Sequence, residues 1–252
     1  MKHIIHSEKS LIVAMDVDGA WFYDLMAALE LVESIGAVKF GFFQSNTGLE
    51  SCVELARNTL GDIPIIYEHQ RIGSGIAEAG AKFAKALKRA GVDAVIIYPF
   101  TGPKIQEHWT KSLQDEGLGV FIGGMMTHGN FLVSEGGYVA DEAVLKLYSL
   151  AVKQGVNHFL VPGNKLPWVK KIKTLLDQEL GTGKYVLCGN GFIRQGGDLL
   201  SCLELVDNRL HAIIGSAIYE HKKIEDMRKA AVLISNQLQR GERGAGGAMP
   251  LT

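Results

Sequence analysis

Short apolar, β-rich runs recur along the chain, separated by longer stretches in which apolar residues fall at i, i+3 and i+4. The runs LIVAMD (11–16), AVKFGF (37–42), IPIIYE (63–68), VDAVIIY (92–98), LGVFIGG (118–124), NHFLV (157–161), KYVLC (184–188) and HAIIG (211–215) read as eight strands. Their starts lie 26, 26, 29, 26, 39, 27 and 27 residues apart. The stretches between them read as amphipathic helices, among them 21–35 stopped by Gly36, 78–90 stopped by Gly91 and 141–154 stopped by Gly155. The strands are nearly continuous apolar runs, the pattern of a parallel sheet covered on both faces. Eight evenly spaced β–α units predict a single α/β domain, a closed (β/α)8 barrel over residues 1–240, followed by a loose Gly-rich tail at 241–252. No GxGxxG follows the first strand, which argues against a dinucleotide-binding open sheet.

The long fifth-to-sixth interval leaves an insertion around MMTHGNFLVSEGGYVAD (125–141). Barrels place their sites at the C-terminal strand ends, so this loop is a candidate lid, or else a tolerated surface insertion. The strand ends themselves carry Asp16, Lys39, Glu68 with His69 and Arg71, Thr127 with His128, Asn164, and the segment GNGFIRQGGD (189–198). Asp16, Lys39, Glu68 and Arg71 form an alternating charge array that reads either as a small-molecule site or as an ion-pair network closing the barrel mouth. Gly196-Gly197-Asp198 and Gly215-Ser216-Ala217 open short turns after strands 7 and 8. Those are the positions at which barrels present backbone N–H groups to a phosphate, with Arg194 and Gln195 as added side-chain donors.

Composition narrows the classes. With 47% hydrophobic residues the chain can build a large core, and 26 basic against 27 acidic residues leave no field for binding nucleic acid. Three cysteines (Cys52, Cys188, Cys202) make neither a disulfide framework nor a CxxC metal site, which fits a cytoplasmic protein. No apolar run is long enough to span a membrane, and MKHIIHSEKS is too polar for a signal peptide. No metal or cofactor is expected. Cys188 reads as a small core residue. His3, His6, His108, His158, His211 and His221 read as surface or satisfied histidines, and Trp21, Trp109 and Trp168 as helix-start residues packing helices onto the barrel.

Taken together, LIVAMD with Asp16, VKFG with Lys39, MTH in the fifth loop, GNGFIRQGGD and IIGSAIYE resemble the orotidine 5'-monophosphate decarboxylase family over roughly residues 10–239. The segments YEHQRIGSGIAE (67–78) and FLVSEGGYVADEA (131–143) are similar to its archaeal-type variant. The resemblance implies a homodimeric lyase of pyrimidine biosynthesis that acts on orotidine 5'-phosphate and yields UMP. It places Asp16 at the ribose, Lys39 between ribose and the carboxylate cluster, and Thr127 at the pyrimidine. Gln195, Gly196, Gly197, Gly215 and Ser216 fall at the phosphate.

Departures gather at the chemistry. The family's strand-3 Asp is Glu68, its catalytic Lys is Arg71, the Asp lent across the dimer falls at Gly75, and its strand-8 Arg is Ser216, with Arg194 placed to supply that charge. A guanidinium is a poor acid where an ammonium is a tunable one, so weak or altered decarboxylation is expected. The alternatives are a non-catalytic nucleotide-binding paralogue and a metal-dependent aldolase on the same scaffold.

Overall fold

The computed structural model describes residues 4–32, 35–69, 73–207 and 209–241. The first half runs β1 (Ser10–Ala14), α1 (Gly19–Leu29), β2 (Ile35–Phe40), α2 (Phe42–Thr47), α3 (Leu49–Leu60), β3 (Ile65–Tyr67), α4 (Ala79–Arg89), β4 (Ala94–Ile97) and α5 (Pro103–Asp115). It continues with β5 (Gly119–Ile122), α6 (Asp141–Lys153), β6 (His158–Pro162), α7 (Leu166–Glu179), β7 (Val186–Asn190), α8 (Leu199–Leu205), β8 (His211–Ile214), α9 (Ser216–Tyr219) and α10 (Ile224–Arg240). The eight strands pair in sequence order and close, β1 lying parallel to both β2 and β8 with Ser10 opposite His211. This is the (β/α)8 barrel that the spacing predicts.

The uninterrupted apolar strands have a direct cause. Leu11, Val13 and Met15 point outward to the helices, while Ile12 and Ala14 point inward. Inside, Ile12, Ile66, Ile96, Phe121, Leu160, Cys188 and Ile213 fill the barrel, and Ile4 and Ile5 pack against them. Cys188 is a fully buried member of this filling, and burial pushes its thiol up and away from reactivity.

Several boundaries differ from the sequence pattern. The helix expected over 21–35 ends at Leu29, and Gly36 lies inside β2. Its role is close approach, because a Cβ at Gly36 would collide with the Ser10 side chain on the neighbouring strand. The seventh strand runs to Asn190, so Gly189 and Asn190 are strand residues. Trp109 sits mid-helix in α5, buried, with its indole N–H donating to the Ile76 carbonyl oxygen at 3.0 Å. Trp21 is half exposed and does not clamp α1 to the barrel. Residues 242–252 of the expected tail, and His3, lie outside the described residues.

Candidate active site

A cavity of about 290 Å³ opens at the C-terminal ends of the strands. Three elements place its charged wall. Asp16 follows β1, Lys39 is the penultimate residue of β2, and Glu68 directly follows β3, where its backbone N–H donates to the Phe40 carbonyl at 2.8 Å. Lys39 Nζ donates to Glu68 Oε2 at 2.8 Å and to Asp16 Oδ1 and Oδ2 at 3.2 and 3.4 Å. Lys39 is only 3% exposed. Burial alone pulls its pKa down, but the Glu68 and Asp16 carboxylates outweigh that and hold it above the ordinary lysine value. The ammonium is therefore a fixed positive charge at any working pH.

Gln44, which the sequence pattern did not single out, ties the first two loops together. It is 1% exposed, its Oε1 accepts from the Gly41 N–H at 3.0 Å, and its Nε2 donates to the Met15 and Val17 carbonyls at 2.7 and 2.9 Å. Both neighbours of Asp16 are thus anchored to the loop that follows Lys39. Gly41 lets that loop approach the third strand, since a Cβ there would lie 2.7 Å from the Glu68 carbonyl oxygen.

The opposite wall is built from strands 5, 7 and 8 and the loops that follow them. Met126, Thr127 and His128 enter from the fifth loop, Asn190 from the end of β7, Gly191, Phe192, Arg194 and Gln195 from the loop after it, and Gly215, Ser216, Ala217 and Tyr219 from the eighth. The seventh loop holds an unusual backbone. Gly191 and Gly196 adopt φ of +84° and +81°, and the β-branched Ile193 sits at +60°, held by its N–H donating to the Gly197 carbonyl at 3.1 Å. Asp198 then caps α8, its carboxylate accepting from the Leu200 and Ser201 N–H groups. Gly215 caps α9, which opens at Ser216.

Of the residues expected at the site, the structure brings Asp16, Lys39, Glu68, Thr127, His128, Arg194, Gln195, Gly215 and Ser216 to one cavity. Asn164 and Gly197 stand behind its wall, and Gly196 is an exposed turn residue outside the lining. Asn164 Nδ2 donates to the Thr127 carbonyl at 2.9 Å and to the Gln195 carbonyl at 3.3 Å, so it braces the fifth loop against the seventh. Gly197 packs on the backbone of Gly163, Asn164 and Gly191, where a Cβ would not fit. Arg194 lines the cavity and pairs with Glu220 at 2.6 Å, both side chains half exposed. Arg71 lies outside the described residues. The fifth loop is tethered: Lys165 Nζ donates to the His128 carbonyl and to Glu135, each at 2.9 Å, and Phe131 and Leu132 are buried. Tyr98 and Asn190 line the floor, and the sequence pattern passed over both.

The fold and site define a (β/α)8 barrel with a polar cavity at its C-terminal mouth, a carboxylate–ammonium–carboxylate array on strands 1 to 3, and glycine-shaped turns after strands 7 and 8. The chain is 27% identical over 242 residues to an orotidine 5'-phosphate decarboxylase from Methanosarcina mazei, covering 93% of this chain and 97% of the relative. Among solved structures it is similar to an orotidine 5'-monophosphate decarboxylase from Methanocaldococcus jannaschii complexed with the inhibitor BMP. There the TM-score is 0.76 at 19% identity, over 91% of this chain and 98% of the other. It is also similar to an orotidine 5'-phosphate decarboxylase from Pyrococcus horikoshii, with a TM-score of 0.70 at 16% identity over 91% and 99%. No family model matches the chain. The resemblance to the orotidine 5'-monophosphate decarboxylase family thus extends along nearly the whole chain, in sequence and in fold.

Proposed function

We propose that this chain is a lyase of the orotidine 5'-phosphate decarboxylase type, that it binds a pyrimidine ribonucleotide 5'-monophosphate in the C-terminal cavity, and that its strand-3 chemistry is altered. The observation that carries the reading is Lys39, buried between Asp16 and Glu68 on the cavity wall. Across β8 from Asp16, Arg194 and Gln195 of the seventh loop and the Gly215–Ser216 turn line the cavity with donors suited to a phosphate. The full-length likeness to decarboxylases supports the same assignment.

Asp16 and Lys39 are assigned to the ribose, Thr127 and His128 to the ring side, and Gln195, Gly215, Ser216 and Arg194 to the phosphate. Asn164 and Gly197 act from behind, by fixing the loops that carry those groups, and Gly196 makes the left-handed turn beside Gln195. Catalysis of this type rests on electrostatic preorganisation that favours the carbanion left by CO2. The fixed Lys39 charge serves that end. Glu68 reaches it with one more methylene than an Asp would need, and Arg71 stands where the pattern has its proton donor. Decarboxylation is accordingly slow.

A homodimer through the barrel mouth belongs to the same proposal. Trp21, Phe42, Phe43 and Ile76 follow strands 1 to 3 at one rim and are 48%, 49%, 37% and 67% exposed. Such an exposed apolar rim marks an association surface. No helix among the described residues is long and apolar enough to cross a membrane, in keeping with a cytoplasmic enzyme. The aldolase alternative gains no support, because Glu68 is engaged by Lys39.

The test is absorbance at 285 nm with orotidine 5'-phosphate, run beside calorimetric titration of UMP. UMP binding with slow turnover is expected. UMP binding with none would make the chain a nucleotide-binding paralogue, and absence of both would refute the assignment.

A further inference from the structure

The floor of the cavity carries a phenol that no part of the charge array requires. Tyr98, the residue after β4, is 3% exposed yet lines the cavity beside Lys39, Glu68 and Asn190. Its position is over-determined. Its carbonyl oxygen accepts from the Ser74 hydroxyl, and also from the Phe100 N–H at 2.9 Å. Its ring stands over Gly123, where any Cβ would overlap the ring carbons, so the glycine makes the room that the ring fills. Its hydroxyl lies within hydrogen-bonding reach of the Asn190 side chain. A phenol oxygen accepts from a side-chain amide and still has its own proton to donate, and the cavity lies beside both groups.

Depth separates this hydroxyl from the phosphate groups. Arg194 and Gln195 are exposed at the rim and Ser216 is half-buried, whereas Tyr98 is buried at the base. β4 also lies four strands from β8 in either direction around the closed barrel, so the ring rises from the side opposite the Gly215–Ser216 turn. A ligand whose phosphate rests at the rim on strands 7 and 8 directs its uncharged end to the floor. Burial, and then the Glu68 charge, push the Tyr98 phenol well above the ordinary tyrosine value, so it stays a neutral donor.

We propose that Tyr98 is a specificity-determining residue whose hydroxyl donates a hydrogen bond to a carbonyl oxygen on the planar ring of the bound nucleotide. This rests on the nucleotide-binding reading above and adds which residue reads the ring. A buried donor left without its acceptor is costly, so the site favours rings bearing a carbonyl there.

Tyr98→Phe tests this, because it removes only the hydroxyl and keeps the ring on Gly123. UMP and ribose 5-phosphate are titrated by calorimetry into the wild type and the variant. UMP affinity is expected to fall about tenfold, with ribose 5-phosphate affinity unchanged within about twofold. Unchanged UMP affinity would overturn the proposal. So would a parallel fall for both ligands, which would assign the hydroxyl to the sugar-phosphate. If the wild type binds neither ligand, the nucleotide-binding reading itself fails, and this one with it.

Discussion

Asp16 and Glu68 both reach Lys39, so its ammonium gives up a proton only by breaking contacts of 2.8 and 3.2 Å. In the proposed reaction the ring carbon left after loss of CO2 needs a proton from some group, and the sequence position that the family pattern assigns to that task holds Arg71, a poor acid. Restoring the pattern with Glu68→Asp, Arg71→Lys and Gly75→Asp together is expected to raise turnover of orotidine 5'-phosphate by at least about tenfold, roughly 1.4 kcal/mol of barrier. Singles do less, because residues of one array act as a unit. The change at Gly75 is a tight one: its Cβ would lie 3.3 Å from Trp109, a buried indole held by the Ile76 carbonyl, so the ring has to shift by a few tenths of an ångström to admit it. A folded triple variant that binds UMP and gains nothing would place the deficit outside strand 3. At the other end of the barrel, His211 is buried against Ser10 at 2.8 Å, and burial pulls its imidazole down to about 4. The unfolded chain takes up that proton near pH 6.5, so between there and pH 4 the unfolded state binds more protons and stability falls as pH falls. At about 1.4 kcal/mol per pH unit the loss is on the order of 3 kcal/mol, complete near pH 4 and absent above about pH 6.5. Urea titrations across that range are expected to show this slope in the wild type and a shallower one in His211→Gln.

Among elements, the seventh loop holds a strained backbone, with Ile193 at a φ of +60° between two left-handed glycines. The loop leads into a short helix, α8, held at its start by the Asp198 carboxylate on two backbone N–H groups. Asp198→Ala is expected to lower stability by about 1 kcal/mol and to weaken UMP binding in step, because the cap fixes where the turn begins. A melting temperature and affinity both unchanged would show that the turn stands without its cap. The strands and this cap are readable from sequence because each is written locally: an apolar run covered on both faces, and an Asp before an apolar helix. Gly36 misleads for the opposite reason. As a residue it looks like a helix stop, and only the neighbouring strand, with Ser10 packed against it, gives it its actual role. Gln44, Tyr98 and Asn190 are unreadable in the same way, since each acquires its partners only when the barrel closes. Asn164 is legible as a strand-end polar residue, but which way it faces, toward the loops and not the cavity, is a property of the assembled rim.

For the whole molecule, a net charge of −1 supplies no long-range pull on a phosphate. Attraction has to be local, from Lys39, from Arg194 beside its Glu220 partner, and from the Gln195 and Ser216 side chains on the cavity wall. The exposed apolar side chains at the rim of strands 1 to 3 stand next to the same cavity, so the proposed dimer and the proposed site share one end of the barrel. Sedimentation at micromolar concentration is expected to show a dimer that Phe42→Asp splits into monomers, and a monomeric wild type would remove that part of the account. The central claim, that this cavity takes a pyrimidine nucleotide by its phosphate, is tested most directly by calorimetric titration of UMP into the wild type and Ser216→Asp. The substitution sets a carboxylate at the start of α9, where the phosphate is assigned, and like charges there repel. The account predicts one UMP per chain in the wild type and loss of binding in a folded Ser216→Asp variant. No binding heat in the wild type, or equal affinity in both proteins, would contradict it.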